Sequence, residues 1–190
     1  MADTGYRFAT QSTASSSVWV TTPSFFNSDG VDAQCNVTNK NITSVHMLGN
    51  FGFTTSVIPD NSVINTVNLR SVWRVTTTGG IATLGMAVAI SGTLVTTVVN
   101  TEEPTSLSTQ NWDITGATTW AAANFRNGTL VVMPKAFTGN NATNPGFRYD
   151  SVSLDVIYTP PAEAAAQIIM GVCNLDGCGS DGRLPGNALE

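Results

Sequence analysis

The chain has 190 residues, a net charge of −5 and only 11% charged residues, so hydroxyl and amide side chains supply much of its polarity. That length suffices for one domain with a sizeable core. The charge leaves no electrostatic case for nucleic acid, since the eight Lys and Arg are scattered and form no run. A membrane span is excluded as well, because the longest apolar-leaning stretch, Leu84 to Val99, is interrupted by Gly85, Ser91, Gly92 and several Thr.

Residues 1–16 are small and polar apart from Tyr6 and Phe8, which predicts an arm docking through those two rings. Ser17 to Thr22 reads as a short strand around Trp19, and Pro23 to Gly30 as a loop closed by a Ser-Asp-Gly turn. Val31 to Val37 alternates as a strand, with Cys35 as a buried thiol. Asn39 to Asn41 is a turn, and Val45 to Phe53 is a further strand.

The clearest pattern runs from Ile58 to Thr77. It opens on a Pro-Asp-Asn turn and then alternates. Val67, Leu69, Ser71, Trp73 and Val75 share one parity, while Asn68, Arg70 and Arg74 share the other, interrupted only by Val72. A period of two means one wet and one buried face, so this is expected to be a principal core strand of an antiparallel sheet.

After Gly79-Gly80, Leu84, Met86, Val88 and Ile90 alternate with Gly85, Ala87, Ala89 and Ser91, so one face carries only small residues. Such a face predicts close approach of another backbone or cover by a neighbour. Ser91-Gly92-Thr93 predicts a hairpin returning through Leu94 to Val99. Thr101 to Gln110 reads as a polar loop, and Trp120 to Asn124 as one helical turn. Asn127-Gly128 is a turn dipeptide. Leu130 to Ala136 predicts a strand whose Pro134 calls for an edge position or a bulge. Arg148 to Tyr158 is the last strand, with Val152, Leu154, Val156 and Tyr158 in register, and Pro160-Pro161 stops it.

About eight short strands separated by turn signals predict an all-β fold. The expected form is an antiparallel β-sandwich or jelly roll with an extended N-terminal arm and a C-terminal tail. The boundaries are an arm at 1–16, a sandwich domain at 17–160 and a tail at 161–190. Ala162 to Ile169 fits a short helix, while Val172 to Glu190 is rich in Gly and Asp and holds no core. Ile168, Ile169 and Met170 are expected to lie against a neighbouring subunit, since burying so few side chains cannot offset the entropy of ordering the tail alone.

Chemistry-bearing residues are sparse. His46 is the one histidine, and no Gly-x-Ser-x-Gly elbow accompanies it. Glu102-Glu103 reads as a solvated loop pair, and Asp150 and Asp155 have opposite parity on the last strand. Cys173 and Cys178 have no nearby histidine or second cysteine pair, which argues against zinc, and their joining in a disulfide is left open. The Asn174 to Gly182 stretch lacks the bidentate Glu and spacing of an EF-hand. No catalytic residue, cofactor or metal is therefore expected.

Several pieces recur in a fixed order: Ser17-Val18-Trp19-Val20, Asp29-Gly30-Val31-Asp32-Ala33, and Leu48-Gly49-Asn50-Phe51-Gly52-Phe53. Ile58-Pro59-Asp60-Asn61-Ser62-Val63 and Trp120-Ala121-Ala122-Ala123-Asn124-Phe125 follow, and Val156-Ile157-Tyr158-Thr159 closes the series. This order, over roughly residues 17–160, resembles a family of β-sandwich modules in tailed-phage virion proteins. Thr54 to Val57, between Gly-Phe and Ile-Pro, departs from the family pattern, as does the Val-Ile-Tyr-Thr ending.

The resemblance implies a structural virion protein, most concretely a capsid decoration or cement protein. Its partners would be other copies of itself and the major capsid protein, with neither nucleic acid nor membrane. The Met-Ala-Asp-Thr-Gly-Tyr start lacks the basic and apolar parts of a signal peptide, so synthesis in the host cytoplasm and residence in the virion are expected. The alternative is a tail-fibre or adhesin module binding a cell-surface glycan on Trp112 and Trp120.

Overall fold

The computed structural model describes residues 1–14, 19–20, 32–35, 43–78, 82–126, 128–138 and 146–162. The tail contacts expected at Ile168, Ile169 and Met170, the helix expected to run to Ile169, and Cys173 and Cys178 lie outside the described residues. Twelve strands are described. They are β1 (Ala2–Asp3), β2 (Arg7–Phe8), β3 (Gln11–Ala14), β4 (Trp19–Val20), β5 (Ala33–Cys35) and β6 (Thr43–Gly49). Then come β7 (Val63–Val75), β8 (Ala82–Ile90), β9 (Thr93–Asn100), β10 (Ser108–Asp113), β11 (Leu130–Thr138) and β12 (Phe147–Thr159).

They form two antiparallel sheets facing each other, which is the expected all-β sandwich. Sheet A runs β10-β7-β12-β5-β4, and sheet B runs β3-β6-β11-β8-β9. The alternation in β7 does what its pattern requires: Val67, Leu69, Trp73 and Val75 are buried, and so is Ser71. Across the sandwich they meet Leu84, Met86 and Val88 of β8 and Leu130, Val132 and Ala136 of β11, all in one core.

The β8–β9 hairpin turns on Ser91 and Gly92, with φ of 49° and 81°. Two successive positive φ values give the two-residue turn whose twist matches a hairpin. Pro134 does not sit on an edge strand, because β11 lies between β6 and β8. Its missing N–H shows on one side only. The register with β8 is continuous through Pro134, whereas that with β6 passes from Val132↔Leu48 to Lys135↔Val45.

The N-terminal arm is a correction. β1 and β2 pair with β12 in sheet A, and β3 pairs with β6 in sheet B. Between them Ala9 is fully buried, and the Thr10 N–H reaches the carbonyls of Gly49 and Asn50. Residues 1–14 thus cross from one sheet to the other and belong to the sandwich. The reason lies in β12. One of its edges is covered along its length by β7, and the other is divided among β5, β2 and β1. Unpaired backbone beside a core is costly, and the N-terminus supplies the pairing.

Two smaller expectations also change. Ser108–Asp113, expected mostly as loop, is the edge strand β10. The helical turn expected from Trp120 is a 3-10 turn at Ala122–Phe125, closed by the Asn124 side chain accepting the Ala121 N–H at 2.7 Å.

Candidate binding surfaces

The two outer faces differ in chemistry. On sheet A, Asn68, Arg70 and Arg74 of β7 point outward, as do Ser153 and Asp155 of β12 and Asn111 of β10. The N-terminal segment lies over this face. Tyr6 sets its ring on the Arg70 guanidinium, 3.8 Å from carbon to ring centroid, and its hydroxyl donates to Asn111 Oδ1 at 3.4 Å. Arg70 Nε donates in turn to Ser153 Oγ at 3.2 Å. A cation on an aromatic face, with the phenol hydrogen-bonded at its rim, makes a well-determined contact.

Beside it lies Asp155. It accepts from Asn68 Nδ2 at 3.2 Å and from Thr4 Oγ1 at 3.4 Å. Asp3 pairs with Ile157, two residues along β12, which makes Asp3 and Asp155 diagonal neighbours on one face. Burial, and then the hydrogen bond with Asp3, hold the Asp155 carboxyl above its ordinary range. Asp3 moves the other way, held down first by the Gly5 N–H, which it accepts at 2.7 Å, and then by Asp155. Asp113 of β10 is also lowered, by hydrogen bonds from Thr115.

The signs give a pH prediction. A carboxyl raised in the folded state adds stability at low pH, and this is lost as the pH rises through the raised value. Asp3 and Asp113, being lowered, add stability that is lost as the pH falls. Asp155→Asn should remove the first contribution and, because Asp155 also helps hold Asp3 down, part of the Asp3 contribution at the acid end. Thermal melts of the natural chain should lose ground to Asp155→Asn between the ordinary carboxylate range and neutrality, where the lowered carboxyls of Asp3 and Asp113 are already ionised in both. Parallel melting profiles would remove Asp155 as the cause.

Sheet B presents the opposite chemistry outward. Gly85, Ala87 and Ala89 form a floor of small residues along β8, and Ala87 and Ala89 are buried although they lie outside the core cluster. They are flanked by Val131, Met133 and Lys135 of β11 and by Thr97 and Val99 of β9. A Cβ at Gly85 would sit 3.4 Å from the Lys135 Cβ, so flanking side chains close over the floor. Leu94 and Val99 are 57% and 59% exposed. Lys135 is the one charged side chain among the described residues of this face. A shallow depression of about 200 Å³ opens near its β3 side, lined by Gln11, Thr13, Met47, Asn50 and Val131 among others.

The tryptophans named as sugar platforms are placed differently. Trp120 is 9% exposed, stacks on Phe125 at 5.2 Å, and donates its indole N–H to the carbonyls of Ile114 and Thr115. It plugs the end of the sandwich and offers no platform. Trp112 is half-buried, stands opposite Leu69 and packs against the core. The side chains of Trp19 and His46 lie outside the described residues. Asp150 and Asp155 do not follow simple parity, because a bulge between Tyr149 and Ser151 resets the alternation, and both are buried. No group of three or more His, Cys, Asp or Glu that could hold a metal occurs among the described residues.

The sequence matches no protein-family model and no curated protein. Among solved structures, the fold is similar to the CBM32 of AlyQ in complex with 4,5-unsaturated mannuronic acid, at 13% identity and a TM-score of 0.38, over 78% of this chain and 96% of that one. It is similar to TmCBM61 in complex with β-1,4-galactotriose at 6% identity and a TM-score of 0.37, over 78% and 87%. It is also similar to the structure of the infectious bursal disease virus Gx strain at 9% identity and a TM-score of 0.35, over 90% and 50%.

Proposed function

We propose that this chain is a non-catalytic structural module, and specifically a tailed-phage virion protein that decorates or cements a capsid by laying the outer face of sheet B against neighbouring protein. The observation that carries the reading is the composition of that face. It is built of Ala, Val, Met and Thr side chains with Lys135 as its one described charge. Contiguous apolar surface on a folded domain marks protein contact, and charge depletion is the compositional mark of an interface centre. Many such contacts on one lattice act together, so each can be individually weak. The phage assignment rests on the sequence resemblance set out above. No catalytic residue, cofactor or metal enters this role.

The test is rebinding to particles stripped of the protein. The natural chain should return at lattice stoichiometry, and Met133→Lys should not, with its melting temperature unchanged. A few copies per particle, or full occupancy by the lysine variant, overturns the reading.

One observation favours a second reading, a glycan-binding module. The Tyr6 ring backed by Arg70 stands among the planar amides of Asn68 and Asn111 and the carboxylate of Asp155. Rings, amides and carboxylates are the groups that grip a polyol. Binding of purified protein to immobilised oligosaccharides, abolished by Tyr6→Ala with the fold intact, would move the function from sheet B to sheet A.

A further inference from the structure

We infer that residues 1–6 are an acid-closed strap: a proton shared between Asp3 and Asp155 fastens them along the edge of β12, and its loss toward neutral pH loosens them. The inference rests on neither reading of the outer faces.

The geometry begins at that edge. β1 pairs with Ile157 and Tyr158, and β2 pairs with Ser153 and Leu154. Between them the chain must arch past Asp155 and Val156. Gly5 makes the arch, with a φ of 60° and open space where a Cβ would stand. Thr4 holds it down. Its N–H donates to the Val156 carbonyl at 3.1 Å, and the Val156 N–H donates to Thr4 Oγ1 at 2.9 Å. The footing is narrow, since β1 and β2 have two residues each. Terminal contacts of this kind open locally, well below the cost of global unfolding. The anchors further on, buried Ala9 and the Thr10 N–H, stay with the sandwich.

Asp155 is buried beneath the arch, and Asp3, its diagonal neighbour, is exposed at the rim. A protonated and an ionised carboxyl can share a hydrogen bond, whereas two ionised ones repel. With Asp155 protonated the pair holds. Once it ionises, lifting the strap relieves both its burial and its repulsion from Asp3. The other titratable or charged groups facing Asp155 are Tyr6 on the arch, Arg70 of β7 and Asp113 of β10, across Asn68. Arg70 favours the ionised form but is held by Tyr6 and Ser153. Hydrogen bonds from Asn68 and Thr4 also favour it. Burial and Asp3 outweigh them, since the Asp155 carboxyl stands above its ordinary range. A carboxyl raised in the closed state binds its proton more tightly there, so acid closes the strap and rising pH opens it.

Amide hydrogen exchange of the full chain, followed by NMR and corrected for the intrinsic pH dependence of exchange, tests this. The Thr4 and Val156 amides read the strap, and the Thr10 amide reads the sandwich beyond it. Between about pH 4 and about pH 7, protection at Thr4 and Val156 should fall about threefold to tenfold, while Thr10 keeps its value. Asp155→Asn removes the titrating group and should make protection at Thr4 and Val156 independent of pH. Asp3→Asn should do the same, because its amide can donate to an ionised Asp155. Asp3 is exposed, so this variant carries the test even where Asp155→Asn disturbs the fold. Constant protection at Thr4 and Val156 in the natural chain overturns the inference, as does an Asp3→Asn variant that keeps the natural pH dependence. A fall at Thr10 equal to that at Val156 overturns it too, since the whole domain would then be loosening.

Discussion

Trp73→Ala should lower the unfolding free energy by about 3–5 kcal/mol, the range for truncating a large core aromatic. Trp73 is fully buried in the middle of sheet A. It stands between Tyr149 on β12 and Ser108 on β10 and stacks on Phe147 at 6.4 Å with the rings 15° apart. Removing it opens a cavity where three strands meet, and close-packed neighbours cannot collapse to fill it. Denaturant melts measure the change. Trp73→Phe is the control. The Trp73 indole N–H has no partner among the described residues, so phenylalanine gives up volume but no hydrogen bond. It should cost clearly less than alanine. Coincident melts of the alanine variant and the natural chain would mean that Trp73 is not a core residue.

The residues whose burial was legible in the sequence are those in long alternations. β7, β8 and β12 each run nine residues or more, and their buried parities, Trp73 and Leu154 included, emerge as their patterns require. The hairpin at Ser91-Gly92 was legible for the same reason, since turn chemistry there agrees with the flanking period. β10 was not. Its inward residues Ser108 and Gln110 are polar, so a genuine alternation carries no hydrophobic signal until Trp112.

The two outer faces divide in the same way. The small-residue parity of Gly85, Ala87 and Ala89 is legible as a distinct face, and the fold makes it the outer face of sheet B. The Tyr6–Arg70–Asn111 contact on sheet A joins residues up to 105 positions apart, and no local pattern encodes it. As a glycan platform Trp120 belonged only to the alternative reading, and a tryptophan flanked by polar and small residues does not show in sequence whether it is covered. Phe125, five residues on, supplies the ring that covers it.

The N-terminus gives the second large effect. β1 and β2 have two residues each and β3 has four, too short for a period to declare itself. Yet deleting residues 1–14 should destabilise the chain by at least about 3 kcal/mol, on the scale of a lost core side chain. Three losses coincide. The edge of β12 from Ser153 to Tyr158 loses its partners on one side. Ala9 leaves the core, and Arg7, which lies 5.9 Å over the Phe53 ring and donates to the Gly52 carbonyl, leaves with it. The link between the sheets through Thr10 and Asn50 is broken as well.

The truncated chain no longer has to order these residues, and the conformational entropy so spared opposes part of the loss. The offset does not restore the exposed β12 edge, whose N–H and C=O groups still border the core. Thermal melts of the truncated chain give the loss directly. A synthetic peptide of residues 1–14, added in excess, should raise the melting temperature again by adding strands to the vacated edge. An arm that merely decorates the domain would behave differently: the truncated and full chains would melt together, and the peptide would change nothing.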